Sequence, residues 1–164
     1  MPKKRVLLVD DNSAVRSLVR RLFELEPDFE ISGEAEDGRD AVEKAETLKP
    51  DLIILDLSMP VMTGLDAAPR LRKLLPNARI ILFTVQDGRE IERLARAAGA
   101  NSVVSKHQAA SELILQAHAL LASIEQEHDP AMLPNASKGL DTPVARKRSS
   151  KLTHVRVARG IKYE

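Results

Sequence analysis

Along this chain, short apolar runs alternate with longer stretches whose apolar residues recur every three or four positions. Residues 5–9 (RVLLV), 52–55 (LIIL), 79–83 (RIILF) and 102–105 (SVVS) are too short to be helices. Such runs suit strands buried on both faces of a parallel sheet. Residues 29–35 (FEISGEA) alternate instead, with Phe29, Ile31, Gly33 and Ala35 set against Glu30, Ser32 and Glu34. That period predicts a strand near a sheet edge.

Helical spacings lie between the runs. Val15, Leu18, Val19, Leu22 and Phe23 follow i, i+3, i+4, i+7, i+8, with Asn12 or Ser13 placed to cap. Ala41, Val42, Ala45 and Leu48 mark a second helix over 38–48, closed by Lys49-Pro50. A third covers 65–75, where Pro69 predicts a kink or shortened first turns. The fourth, over 89–98, sets Ile91, Leu94, Ala95 and Ala98 on one face and stops at Gly99. Leu113, Ile114, Ala117, Leu120, Leu121 and Ile124 mark the fifth. Strand and helix thus alternate five times. This is the pattern of parallel βαβ units with right-handed crossovers, giving an α/β fold with helices on both faces of a five-stranded sheet.

Composition narrows the class without changing that picture. The 164 residues suffice for one domain with a proper core and some extra chain. Hydrophobic residues at 43% and charged residues at 30% give an ordinary globular balance. There is no cysteine, which excludes disulfides and thiolate metal sites. The apolar run near the N-terminus is too short for a signal peptide, and no run approaches the roughly 20 residues of a membrane helix. A cytoplasmic protein is expected. Net charge is +1 but divides unevenly. Residues 1–125 carry 17 basic against 20 acidic side chains, whereas 126–164 carry 8 against 4. The sign change places a domain boundary near 126.

The candidate chemistry sits where the strands end. Asp10 and Asp11 follow the first run, Asp56 the third, Thr84 the fourth and Lys106 the fifth. In a parallel sheet these ends share one edge, so groups distant in sequence converge there. Three close carboxylates need a cation or protons between them. Oxygen ligands without Cys or His favour a hard divalent ion, most simply Mg²⁺. Thr84 adds a hydroxyl, and Lys106 a mobile positive charge suited to a phosphoryl oxygen. Phosphoryl transfer asks mainly for positioning and charge neutralisation, which such a set supplies. Singly, each residue has a plainer account: acidic residues favour helix N-termini, Asp56 and Thr84 suit turns, and most lysines are solvated.

Taken in order, VLLVDD, DLSMPVMTG, FTV and GANSVVSK resemble the receiver domain of bacterial two-component response regulators over about residues 4–125. The resemblance implies a doubly wound, flavodoxin-like sheet of order 2-1-3-4-5. It implies that a sensor histidine kinase or phosphotransfer protein donates a phosphoryl group to Asp56. Asp11 and Asp56 would bind Mg²⁺ directly, with the backbone carbonyl of Ser58, and Asp10 through water. Thr84 and Lys106 would hold the phosphoryl oxygens, and the rearrangement would signal to an output protein. Such a chain is a receiver assisting its own phosphorylation, not an enzyme acting on a separate substrate. Two residues depart from the family pattern. Val103 stands where an aromatic often lies, so an aromatic rotamer switch is not available. Val85 stands where Ala or Gly is common, and its bulk is expected to lengthen the phosphoryl lifetime. Pairing of two copies through the fourth helix, last strand and fifth helix is a further family habit.

Residues 126–164 show no paired amphipathic helices of the helix-turn-helix kind. From 138 to 162 eight basic residues face one acidic, Asp141. We read this stretch as a basic, flexible and solvated tail. The alternative is an arm whose Arg146, Lys147, Arg148 and Lys151 touch nucleic acid. Two other functions therefore stand beside the phospho-receiver: a DNA-associated regulator, and a docking module that works without phosphorylation. His118 and His128 are expected at the surface and not as ligands.

Overall fold

The computed structural model describes residues 2–108 and 110–127, within the unit Met1–Pro130. The elements alternate as β1 (Lys4–Val9), α1 (Ser13–Glu24), β2 (Phe29–Ala35), α2 (Gly38–Leu48), β3 (Leu52–Leu55), α3 (Gly64–Leu74), β4 (Arg79–Thr84), α4 (Arg89–Ala97), β5 (Ser102–Ser105) and α5 (Ala110–Glu127). All strands are parallel, in the order β2-β1-β3-β4-β5. This is the doubly wound arrangement expected from the sequence. Beyond Glu127 the expected tail, with Arg146, Lys147, Arg148 and Lys151, and His128 lie outside the described residues.

Side chains alternate across the sheet and feed two cores. Leu7, Val9, Ile53, Leu55, Ile80 and Leu82 pack against Ala41 and Ala45 of α2, Ala67, Ala68 and Leu71 of α3, and Ala95 of α4. Their neighbours Val6, Leu8, Leu52, Ile54, Ile81 and Val104 pack against Val19 and Phe23 of α1 and Leu113, Ala117 and Leu121 of α5. The alanines of the first layer let its helices lie close on the sheet. Full burial of both faces explains why the central strands read as unbroken apolar runs.

Two local readings need correction. The alternation in β2 is not continuous. Val6 pairs with Ile31, but Leu7 pairs with Gly33, so Ser32 is an inserted residue, and its Oγ donates to the Val6 carbonyl at 3.1 Å. An insertion of this kind switches the faces beyond it. Phe29 and Ile31 accordingly face α1 and α5, while Ala35 joins the α2–α4 core. Pro69 does not shorten α3, which begins at Gly64, one residue earlier than expected, and runs through the proline. The helix forgoes only the bond that an N–H at position 69 would give to the Leu65 carbonyl. Gly64 is needed for close approach and not for a special backbone angle. It is absent from the positive-φ glycines, its N–H donates to Leu57 O at 2.9 Å, and a Cβ there would collide with the Asp56 carbonyl.

The helix ends follow the sequence more closely. Asn12 caps α1 by accepting the Ala14 N–H at 2.9 Å, Asp37 caps α2 and Thr63 caps α3. Lys49 ends α2 in the left-handed region at φ 46, and Gly99 follows α4 at φ 94.

Candidate functional site

Val9 pairs with Leu55, and Leu55 with Leu82, so β1, β3 and β4 reach the same edge together. The residues that follow meet there. Asp56 is anchored by its own N–H on Val9 O at 2.8 Å, and Asp10 by its N–H on Ala35 O at 3.1 Å. Asp10 and Asp56 are each 5% exposed, Thr84 is fully buried, and Asp11 is exposed. One oxygen from each of Asp10, Asp11 and Asp56 lies within 4.8 Å of the others. Lys106 extends from the end of β5, its N–H on Thr84 O at 2.8 Å. Its Nζ donates to Asp10 Oδ2 at 2.5 Å and stands 3.0 Å from Asp56 Oδ1. The same ammonium lies 5.8 Å from the centre of the Phe83 ring. The five strand-end residues singled out in the sequence are therefore neighbours.

Electrostatics follow from this crowding. Burial pushes the Asp56 carboxyl above its usual range, opposed by the Lys106 hydrogen bond and charge and reinforced by Asp10. Burial alone would lower the Lys106 ammonium, but its bonds to Asp10 and Asp56 outweigh that and hold it above the ordinary value. A buried carboxylate with one lysine to share between two acids has capacity for further positive charge. The donor set is all oxygen, acidic and partly open through Asp11, which fits a hard divalent cation.

The rim carries the remaining predicted residues. Ser58, two residues beyond Asp56, accepts from Gln86 Nε2 through its Oγ at 3.1 Å, and Gln86 N–H donates to Thr84 Oγ1 at 3.2 Å. This pair bridges the β3–α3 and β4–α4 loops. Val85 is 54% exposed on the second of these loops. Val103 is half-buried and packs on the α2–α4 side of the sheet, with no aromatic ring in its place. His118 lies at the surface as expected, its side chain 40% exposed. Its ring lies 4.8 Å from that of Phe29, and Nε2 is 3.3 Å from Glu26 Oε2, at the opposite end of the sheet.

One participant was missed. Arg16 of α1 is 9% exposed and reaches the site from below. Its Nη1 donates to the Asp10 carbonyl at 2.6 Å, Nε to Glu34 Oε2 at 3.0 Å and Nη2 to Glu36 Oε1 at 3.3 Å. A signal existed: Arg16, Val19 and Phe23 share the buried side of α1, and a cation on such a stripe needs acidic partners.

A doubly wound parallel sheet with an acid cluster, a threonine and a lysine on its carboxyl edge defines a class, and the comparisons agree with it. The chain belongs to the response regulator receiver domain family, whose profile matches residues 6–118. It is 37% identical over 113 residues to the nitrate/nitrite response regulator protein NarL of Escherichia coli (strain K12), covering 69% of this chain and 52% of that one. It is 39% identical over 103 residues to the chemotaxis protein CheY of Thermotoga maritima, covering 63% and 85%. Among solved structures, a LuxR-family two-component response regulator from Aurantimonas sp. matches with TM-score 0.71 at 34% identity, covering 74% of this chain and 86% of that one. The chain spans about half the length of relatives such as NarL. Among the described residues no helix is long and apolar enough to cross a membrane.

Proposed function

We propose that the chain accepts a phosphoryl group on Asp56 from the phosphohistidine of a sensor histidine kinase or phosphotransfer protein, and signals to a partner protein through the rearrangement that follows. The observation that carries this reading is a buried Asp56 at a strand's carboxyl end, with Asp10, Asp11 and Lys106 in reach. A carboxylate oxygen of Asp56 attacks phosphorus, the phosphorus–nitrogen bond breaks, and the donor imidazole leaves with the electron pair and takes up a proton. Asp11, Asp56 and the Ser58 carbonyl would hold Mg²⁺, with Asp10 acting through water. The ion supplies neutralising charge for the transferring group. Lys106 exchanges its Asp56 contact for a phosphoryl oxygen, and the Thr84 hydroxyl turns to donate to another. Loss of the Lys106–Asp56 pair and movement of the loop that follows Thr84 then carry the signal outward. Val103 is aliphatic, so this switching proceeds without an aromatic rotamer change. The receiver itself catalyses nothing beyond its own phosphorylation and dephosphorylation, and works in the cytoplasm.

Intact-mass measurement after incubation with Mg²⁺ and acetyl phosphate or phosphoramidate tests the reading. One added phosphoryl group is expected, absent without the ion and absent in Asp56→Asn. If no adduct forms with these donors or with phosphorylated histidine kinases, phosphorylation is refuted and a docking module takes its place.

A DNA-associated regulator is the second reading, favoured by relatives of about twice the matched length that include a nitrate/nitrite response regulator. Salt-dependent DNA binding that vanishes on deleting 138–164 would support it.

A further inference from the structure

We propose that Arg16 is a positioning residue for the cation site. It would hold Asp10 in place through the main chain while adding a charge that by itself disfavours a cation; the inference rests on reading Asp10, Asp11 and Asp56 as the cation's acidic cradle. Three hydrogen bonds fix Asp10 besides its pairing with Lys106. Its N–H bonds to Ala35 O, its carbonyl accepts from Arg16, and its Oδ1 accepts the Asn12 N–H at 2.9 Å. Asn12 in turn caps α1, and Arg16 N–H donates back to Asn12 O at 3.1 Å. The first turn of α1, the arginine and the acidic residue therefore form one closed circuit.

The far side of the guanidinium is braced on Glu34 of β2 and on Glu36 just past its end. Glu34 and Glu36 take Nε and Nη2, and Arg20 donates to Glu34 Oε1 at 2.7 Å. Glu34 reaches this side only because the Ser32 insertion switches the faces of β2. A planar fork with three fixed partners suits this task, and a lysine could satisfy only part of it. Without the fork, the buried Asp10 carbonyl loses its donor and the carboxylate its fixed base.

Charge and positioning predict opposite signs. Removing a cation near three carboxylates tightens Mg²⁺ binding if Arg16 acts only through its charge. If Arg16 positions Asp10, binding weakens despite the lost repulsion. We would titrate Mg²⁺ into the unphosphorylated full chain by calorimetry, with Arg16→Met, Arg16→Lys and Arg21→Met beside the wild type, and confirm folding by thermal melts. Affinity is expected to fall roughly tenfold in both Arg16 variants, in line with other supporting residues around metal ligands. Arg21→Met, which deletes an equal charge from the exposed side of α1 without touching Asp10 or the partners of Arg16, is expected to bind as tightly as the wild type or more so. Unchanged or tighter binding in the folded Arg16 variants overturns the inference. Should Arg16→Met not fold, Arg16→Lys decides by itself, because charge is retained and only the fork is lost. A wild type that takes up no Mg²⁺ refutes the cation reading, and this inference falls with it.

Discussion

Val61 lies five residues past Asp56 with φ at 66, the left-handed region that a β-branched residue rarely enters. The Met62 N–H donates to Pro60 O at 2.6 Å across it. Val61→Asn is therefore expected to stabilise the protein. The left-handed conformation costs an L-residue about 1–2 kcal/mol, and asparagine tolerates it far better. Against this stands lost packing. The valine is 70% exposed, so less than a third of its burial value is at stake, about 0.6 kcal/mol on a side-chain scale near 2. The net gain is about 1 kcal/mol. Urea unfolding followed by far-ultraviolet circular dichroism measures it directly. With a slope of about 2 kcal/mol/M, the midpoint should rise by roughly 0.5 M at unchanged slope. Val61→Gly should gain less, because glycine adds about 0.4–1 kcal/mol of unfolded-state entropy. A Val61→Asn midpoint at or below wild type would refute the strain argument.

Gly64→Ala should cost about 2–3 kcal/mol, at the upper end of overpacking effects, because the new methyl meets the Asp56 carbonyl and not a movable side chain; a melt within a degree of wild type would count against that contact. Asp56→Asn, in metal-free buffer, should raise the melting temperature at pH 7. The folded carboxyl titrates above its unfolded value, chiefly through burial, so its favourable contribution exists below the unfolded value and is lost as pH rises through the folded one. The advantage of the amide should shrink on acidification, and a constant difference from pH 3 to 8 would contradict this. Glu34 behaves oppositely. Burial tends to raise its carboxyl, but hydrogen bonds from Arg20 and Arg16 outweigh that and hold it below the ordinary range. Its contribution is present above the unfolded value and lost as pH falls through the folded one. Glu34→Gln should flatten the acid side of the stability profile, and a wild-type slope there would refute it.

The central strands were legible because burial on both faces leaves an apolar signature that needs no tertiary information. Asp10, Asp56, Thr84 and Lys106 were legible for the complementary reason: each stops an apolar run at the edge where parallel strands bring their ends together. Three features were missed or misread. The Ser32 insertion leaves no trace in a single sequence, since FEISGEA satisfies plain alternation as well as the interrupted kind. Arg16 left only its place on the apolar stripe of α1 as a signal, and its charge reads as solvent-facing until Glu34 and Glu36 are seen across from it. Pro69 was over-read, because local chemistry predicts a fault in a helix that packing of Ala67, Ala68 and Leu71 carries through.

The inserted Ser32 also bears on solubility. A doubly wound sheet ends in two edge strands, and β2, seven residues long, has no strand on its outer side among the described residues. A regular strand of that length is a template on which another chain can pair. An irregular one, bent by an extra residue and bearing Glu30 and Glu34, is a poor template. At the opposite margin β5 has only four residues, too few to recruit a partner securely. The irregularity that turns Glu34 toward Arg16 thus also guards the longer open edge of the sheet against aggregation.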